Sequence, residues 1–150
     1  MIRYAIEAER FALKDRRKRT AWIAAVIRQH GKVPGEIQYI FTDDEHILKI
    51  NREFLQHDYC TDIITFDYTE GDTLSGDIFI SIDTVRDNAQ TYGDTFRREL
   101  LRVMIHGVLH LAGFNDKTEA EQRVMRTQED AALELWATQF EGEGTNPSQE

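Results

Sequence analysis

The sequence predicts an α+β domain: one mixed sheet of about four strands covered by helices, in the order βαβαββααα. Three observations lead there. Short β-rich runs around residues 2–8, 36–42, 61–68 and 76–82 have strand length, and turn residues bound most of them. Longer segments between and after them place apolar residues at helical spacing. The 150 residues contain no repeat and no linker within the body, so they amount to one domain.

Residues 2–8 alternate as a first strand. Residues 15–29 follow as a helix, with Ala21, Trp22, Ala25 and Val26 on its apolar face, and Gly31, Pro34 and Gly35 punctuate its end. In the strand 36–42, Ile37, Tyr39 and Phe41 share one face. Asp43 can cap a helix running to about Leu55, whose stripe is Ile47, Leu48, Ile50 and Phe54. Residues 61–68 form a β-rich run, Gly71-Asp72 turns the chain, and 76–82 returns as a very apolar strand. Phe66, Tyr68 and Phe79 read as sheet core rather than as base-stacking platforms. Three helices complete the chain. One spans 83–92 and ends at Gly93; a second, capped by Asp94 or Thr95, runs to about Ala112; the last spans 118–140, with Met125 at core spacing.

Composition narrows the class. Hydrophobic residues at 41% and charged residues at 30% suit an ordinary soluble globular protein. A single cysteine, Cys60, precludes an internal disulfide and points to a reducing compartment. The N-terminus lacks a signal-peptide pattern, and its longest apolar stretch, 22–27, is too short to span a bilayer. These features predict a cytoplasmic protein without a membrane partner. The expected domain covers residues 1–140, and the tail 141–150, without an apolar anchor, is expected to be disordered. A net charge of −9 argues against a general nucleic-acid binder. Basic residues nevertheless cluster at 14–19 and at Arg97, Arg98 and Arg102, either as solvated helix faces or as local phosphate contacts.

The chemistry concentrates in His106-Gly-Val-Leu-His110-Leu-Ala-Gly113-Phe-Asn-Asp116. Histidines four apart on a helix lie about 40° from each other around its axis, so both imidazoles can close on one cation. Gly113 sits where a helix end favours a left-handed residue, and Thr118-x-x-Glu121 reads as a capping box opening the next helix. Asp116 falls in the turn between them, free to fold back. His106, His110 and Asp116 make a three-ligand metal site with open positions, the pattern of a catalytic metal. Zinc fits this donor set; nickel, manganese and iron are compatible with it. Gly107 stands where zincin peptidases carry their glutamate base, which disfavours that mechanism. Glu99, about 20° from both histidines around the helix, is a candidate hydrogen-bond acceptor for an imidazole N–H. His57 and Asp58 occupy a loop, while His30 and His46 read as surface residues.

The run His106-Gly-x-Leu-His110-Leu-x-Gly113-aromatic, ending in a third ligand, resembles the signature of the YbeY family. Asn51, Phe54, Asp58-x-x-Thr61-Asp62-Ile-Ile-Thr-Phe66, Gly76-Asp77-Ile and Glu99-Leu100 resemble further family segments. The resemblance implies a metal-dependent, single-strand-specific endoribonuclease of ribosomal RNA maturation and ribosome quality control, with ribosomal RNA and the small ribosomal subunit as partners. Two positions depart from the family. Its usual third ligand is histidine, whereas Asp116 lowers the charge of the site by one and would weaken the metal as a Lewis acid. Leu55 replaces an arginine thought to contact substrate, so cationic contacts must come from residues such as His57, Arg52, Arg98 or Arg102. A rival expectation is a non-catalytic ribosome-assembly factor with a structural metal. That reading requires a fourth protein ligand, for which His57 is the candidate. A small metallohydrolase acting on another substrate is also compatible with the site.

Overall fold

The computed structural model describes residues 1–55 and 61–141. Its strands are β1 (Ile2–Ile6), β2 (Val33–Thr42), β3 (Ile63–Asp67) and β4 (Thr73–Ser81), and its helices α1 (Arg16–Gln29), α2 (Asp44–Ile50), α3 (Ile82–Tyr92), α4 (Phe96–Leu111) and α5 (Glu119–Leu135). The four strands form one sheet in the order β1-β2-β4-β3. β1, β2 and β4 run parallel, and β3 pairs antiparallel with β4. This is the mixed sheet and element order the sequence predicts. His57, Asp58 and Cys60, and the tail beyond Glu141, lie outside the described residues. Among the described residues, no helix is long and apolar enough to cross a membrane.

Several boundaries differ from the sequence expectation, each for a local reason. β1 ends at Ile6 rather than residue 8, although the Glu7 and Ala8 N–H groups still reach the Phe41 carbonyl. β2 starts at Val33 and contains Pro34 and Gly35, which the sequence reading assigned to a turn. Pro34 is tolerated because pairing with β1 begins only at Ile37, and the β2–β4 register shifts between Pro34 and Ile37. β4 starts correspondingly early, at Thr73 opposite Val33. The helix expected to run from Asp43 to Leu55 is α2 followed by a π-helical turn, Asn51–Leu55. The last helix likewise ends at Leu135 and continues as a π-helical turn, Trp136–Phe140.

The two faces of the sheet are unequal. Ile37, Tyr39 and Phe41 of β2, with Leu74, Ile78 and Ile80 of β4, belong to the main core beneath α1 and α4. The opposite face carries Ile64, Phe66 and Phe79 under Ile47 and Ile50 of α2. Phe66 and Phe79 are thus sheet core as expected, but Tyr68, just past β3, is exposed. Hydrogen bonds tie the layers: the Tyr39 hydroxyl donates to the Met104 carbonyl at 2.8 Å, and the Trp22 indole donates to the Ala132 carbonyl at 2.7 Å. The basic run 14–19 is not a uniformly solvated face. Arg19 is fully buried, its guanidinium 5.7 Å from the Trp136 ring centre, and burial with Arg97 nearby lowers its pKa to about 10.

α4 is the central helix, packed against β3, β4, α1, α3 and α5. Its approach to the sheet depends on Gly107. A Cβ there would lie 3.0 Å from Ile63 Cδ1 and from Ile78 Cγ2, closer than ordinary van der Waals contact. A glutamate side chain at this position has no room, which gives the absent zincin base a packing cause. Gly107→Val should therefore destabilise the protein by about 3 kcal/mol through overpacking, read as a lower urea midpoint at unchanged slope. An unchanged midpoint would show that α4 does not rely on this contact.

Candidate metal centre

α4 presents His106 and His110 on one face of its final turns. It stops at Gly113, whose φ of +103° lies in the region glycine favours. The Phe114 N–H reaches the Leu109 carbonyl and the Gly113 N–H the His110 carbonyl, both at 3.0 Å, a Schellman ending. Phe114 then packs on the core beside His30, their ring centres 5.1 Å apart. On the far side, Thr118 and Glu121 form the expected capping box of α5, and Gln122 Nε2 donates to the Asp116 carbonyl at 3.0 Å. The turn is thereby held at both ends, and Asp116 folds back over the histidines.

Three ligand atoms converge. His106 Nε2 lies 3.0 Å from His110 Nε2 and 3.2 Å from Asp116 Oδ2, and the His110–Asp116 separation is 3.4 Å. Ligands at about 2.0–2.1 Å from a tetrahedral zinc ion stand about 3.3–3.4 Å from one another. The donor set and its spacing therefore fit one divalent cation. Among the described residues, this metal-competent group ends at these three side chains, so the fourth ligand of a structural site is missing there.

The orientation of His106 comes from a residue that sequence reasoning missed. His106 Nδ1–H donates to Glu129 Oε2 at 2.6 Å, which leaves the Nε2 lone pair facing the other two ligands. Glu129 is only 5% exposed, and its second oxygen accepts from Arg102 Nη1 at 2.9 Å. A signal existed: Met125, Glu129, Ala132 and Leu133 share the buried stripe of α5, so a carboxylate stands at a core position and requires a partner. Burial works to lower the pKa of His106, but the hydrogen bond and charge of Glu129, with Asp116 and Asp62 adding, carry it above its ordinary value. Burial works to raise the pKa of Glu129, and the contacts of His106 and Arg102 hold it below the usual carboxylate value.

The arginine cluster read from the sequence is divided three ways. Arg102 donates to Glu129 and, at 2.9 Å, to Asp130, so it supports the metal centre from behind. Arg98 pairs with Asp94 at 3.4 Å and lines a separate hollow beside Trp136. Arg97 is buried, bonded to Asp15 and 3.4 Å from Glu141. Glu99 is buried in the wall of the cavity that holds His106, but the acceptor seen for the His106 N–H is Glu129. His46 lies away from the triad, bonded to Thr42 and near Glu7. Asp77 sits opposite Phe66 on the α2 face of the sheet. Met125 is buried, as its spacing predicts, and also lines the cavity beside His106.

Two hollows meet at the triad. One, of about 350 Å³, lies between α3, α4 and α5 and includes Arg102, Arg126 and Glu129; the other follows β3 past Thr61, Ile63, Thr65 and Asp67. Asp62, His106 and Asp116 belong to both. Burial raises the pKa of Asp62, offset in part by His106. Arg126 was not singled out from the sequence, yet its side chain is largely exposed, with Glu129 no nearer than 3.8 Å.

Zinc affinity should weaken as pH falls through the raised pKa of His106, because the proton then competes for Nε2. The weakening should begin above pH ~6.5, the unperturbed histidine value. Glu129→Gln should shift that onset downward and weaken zinc binding about 10–100-fold, read by competition with a chelator across pH. An unchanged affinity and pH profile would show that Glu129 does not position His106.

A family model described as Endoribonuclease YbeY matches residues 4–137. The Endoribonuclease YbeY of Phocaeicola vulgatus is 52% identical over 135 residues, covering 90% of this chain and 98% of the relative. That of Bacteroides thetaiotaomicron is 51% identical over 134 residues, covering 89% and 98%. The solution structure of TM1509 from Thermotoga maritima superposes with a TM-score of 0.59 at 25% identity, covering 97% of this chain and all of that one. With the family model matching residues 4–137 and relatives about half identical to it over nine-tenths of its length, the chain belongs to the YbeY family.

Proposed function

We propose that this protein is a metal-dependent endoribonuclease that cuts single-stranded ribosomal RNA during maturation and quality control of the small ribosomal subunit, in the cytoplasm. His106, His110 and Asp116 would hold one divalent cation, with zinc the first choice and nickel, manganese or iron compatible. The observation that carries this reading is the convergence of those three ligand atoms within 3.4 Å of one another at the meeting point of two open hollows. The relatives' name, Endoribonuclease YbeY, supplies the reaction class.

When bound, the cation supplies Lewis acidity toward a phosphodiester and lowers the pKa of water. The chain's own residues do the rest. Glu129 holds the proton on His106 Nδ1 and so keeps Nε2 available, while Arg102 keeps Glu129 ionised. Asp116 brings a negative charge that a third histidine would lack, favouring cation retention over Lewis acidity. Arg126 is the exposed cation on the cavity wall and takes the phosphate-positioning role, which is blind to base sequence. Leu55 lies outside both hollows among their described residues and offers phosphate no contact. The assembly-factor reading would add a fourth protein ligand to these three, and its candidate, His57, lies outside the described residues.

Purified wild type should cleave a structured ribosomal RNA, and Asp116→Ala prepared identically should be at least about 100-fold slower. Contaminating ribonucleases would act equally in both preparations. Equal or absent cleavage, with zinc confirmed on the wild type, would overturn the nuclease reading. Arg126→Ala should raise KM several-fold with kcat nearly unchanged, the signature of lost uniform binding. A fall in kcat alone would assign Arg126 to the chemical step instead.

A further inference from the structure

The cavity between α3, α4 and α5 contains a polar group that the metal centre does not use. Glu99 is 7% exposed, and the part of it that stays accessible opens on the cavity, so its carboxyl oxygens are not sealed from water. It lines the same cavity as His106 and Asp116. Its pKa is raised by burial, with Arg102 opposing and Asp62 and Asp94 adding to the rise. A carboxyl that reaches the cavity while the rest of its residue is packed is a fixed acceptor for an incoming ligand that donates N–H groups.

The rest of the wall suits a flat heteroaromatic ligand. Tyr92, the last residue of α3, lines the cavity and is 70% exposed, which offers a ring face for stacking. Asn88 stands one turn earlier on the same helix with an amide that both donates and accepts, and Met125 supplies an apolar floor. The volume, about 350 Å³, falls in the range of small-ligand pockets. Arg126 at the rim is placed for an adjoining phosphate. Single-stranded RNA is read in this manner, by stacking on aromatic side chains and hydrogen bonding along exposed base edges.

We propose that this cavity is a nucleobase subsite beside the scissile phosphate, in which Glu99 selects guanine. Guanine presents two adjacent N–H donors, N1–H and N2–H, to the two oxygens of one carboxylate. Uracil and adenine present no such pair, and inosine keeps N1–H but lacks the N2 amino group. Glu99 is a specificity-determining residue in this assignment, and Tyr92 is the stacking platform. The assignment deepens the endoribonuclease reading and rests on it for the neighbouring phosphate.

The test uses the full-length, metal-loaded protein and oligouridylates carrying a single guanine, inosine or adenine. Cuts should cluster at one fixed position relative to the guanine. Guanine should be favoured over uracil about tenfold in kcat/KM, the lower end of what a bidentate base contact gives, with inosine in between. In Glu99→Gln the guanine-to-uracil ratio should fall to about one. Binding of the uncleavable 2′-O-methyl oligonucleotides, read by fluorescence anisotropy, should show the same order and should weaken in Tyr92→Ala. Cleavage spread evenly along the oligouridylates, or inosine equal to guanine in wild type, would overturn the subsite while leaving the nuclease reading intact. Guanine-selective binding without any cleavage would support the subsite and overturn the nuclease reading instead. Because the inosine comparison uses wild type alone, misfolding of a variant cannot mask the result.

Discussion

The close seating of α4 on the sheet is the constraint on which the rest depends. At Gly107 the helix backbone comes so near β3 and β4 that a methyl group would press on Ile63 and Ile78. That proximity sets the height of α4 above the sheet and the rotation of its faces. The glycine lies between the two histidines and points at the sheet, so the histidines one step before and three after it are turned away from the sheet's centre. They face the space between β3 and the turn after Gly113. The same contact that completes the core therefore aims the imidazoles.

A second layer of organisation is electrostatic. The protein carries a net charge of −9, and the candidate metal centre is itself rich in carboxylates: Asp62, Glu99, Asp116 and Glu129 line the cavity beside His106. Arg102 counters this by bridging Glu129 and Asp130, which fixes α4 to α5 and keeps Glu129 ionised. Glu129 in turn selects the tautomer of His106. The chain from Asp130 through Arg102 and Glu129 to His106 spans two helices, and each link makes the next one charged or oriented. Such a surplus of negative charge favours a divalent cation, while a polyanionic substrate would approach most easily where Arg126 interrupts it.

The two hollows that meet at the triad have different characters. The one along β3 follows an edge strand of the sheet, with Thr61, Thr65 and Asp67 on its wall. The other lies between three helices and holds the buried Glu99 and the exposed Tyr92. A strand of RNA crossing the triad would meet a strand edge on one side and a hollow walled by helices on the other. The asymmetry gives the site a direction.

Much of this was legible in the residues themselves. Strand alternation and helical spacing are local, so the element order and the mixed sheet followed from them, as did the Gly113 ending and the Thr118–Glu121 box. The convergence of His106, His110 and Asp116 was also readable, because all three lie within eleven residues: helix geometry aligns the histidines, and the Gly113 ending turns the chain back to bring Asp116. What lay beyond reach depends on contacts between distant segments. Pro34 and Gly35 read as turn residues, and only pairing with β4 draws them into β2. Arg97, Arg98 and Arg102 look like one basic patch, yet packing sends each to a different carboxylate. Glu129 is 23 positions from the histidine it orients. The sequence by itself determined which side chains could bind a cation; the tertiary structure alone decided which carboxylate holds His106 in register, because that choice is made by how α5 docks against α4.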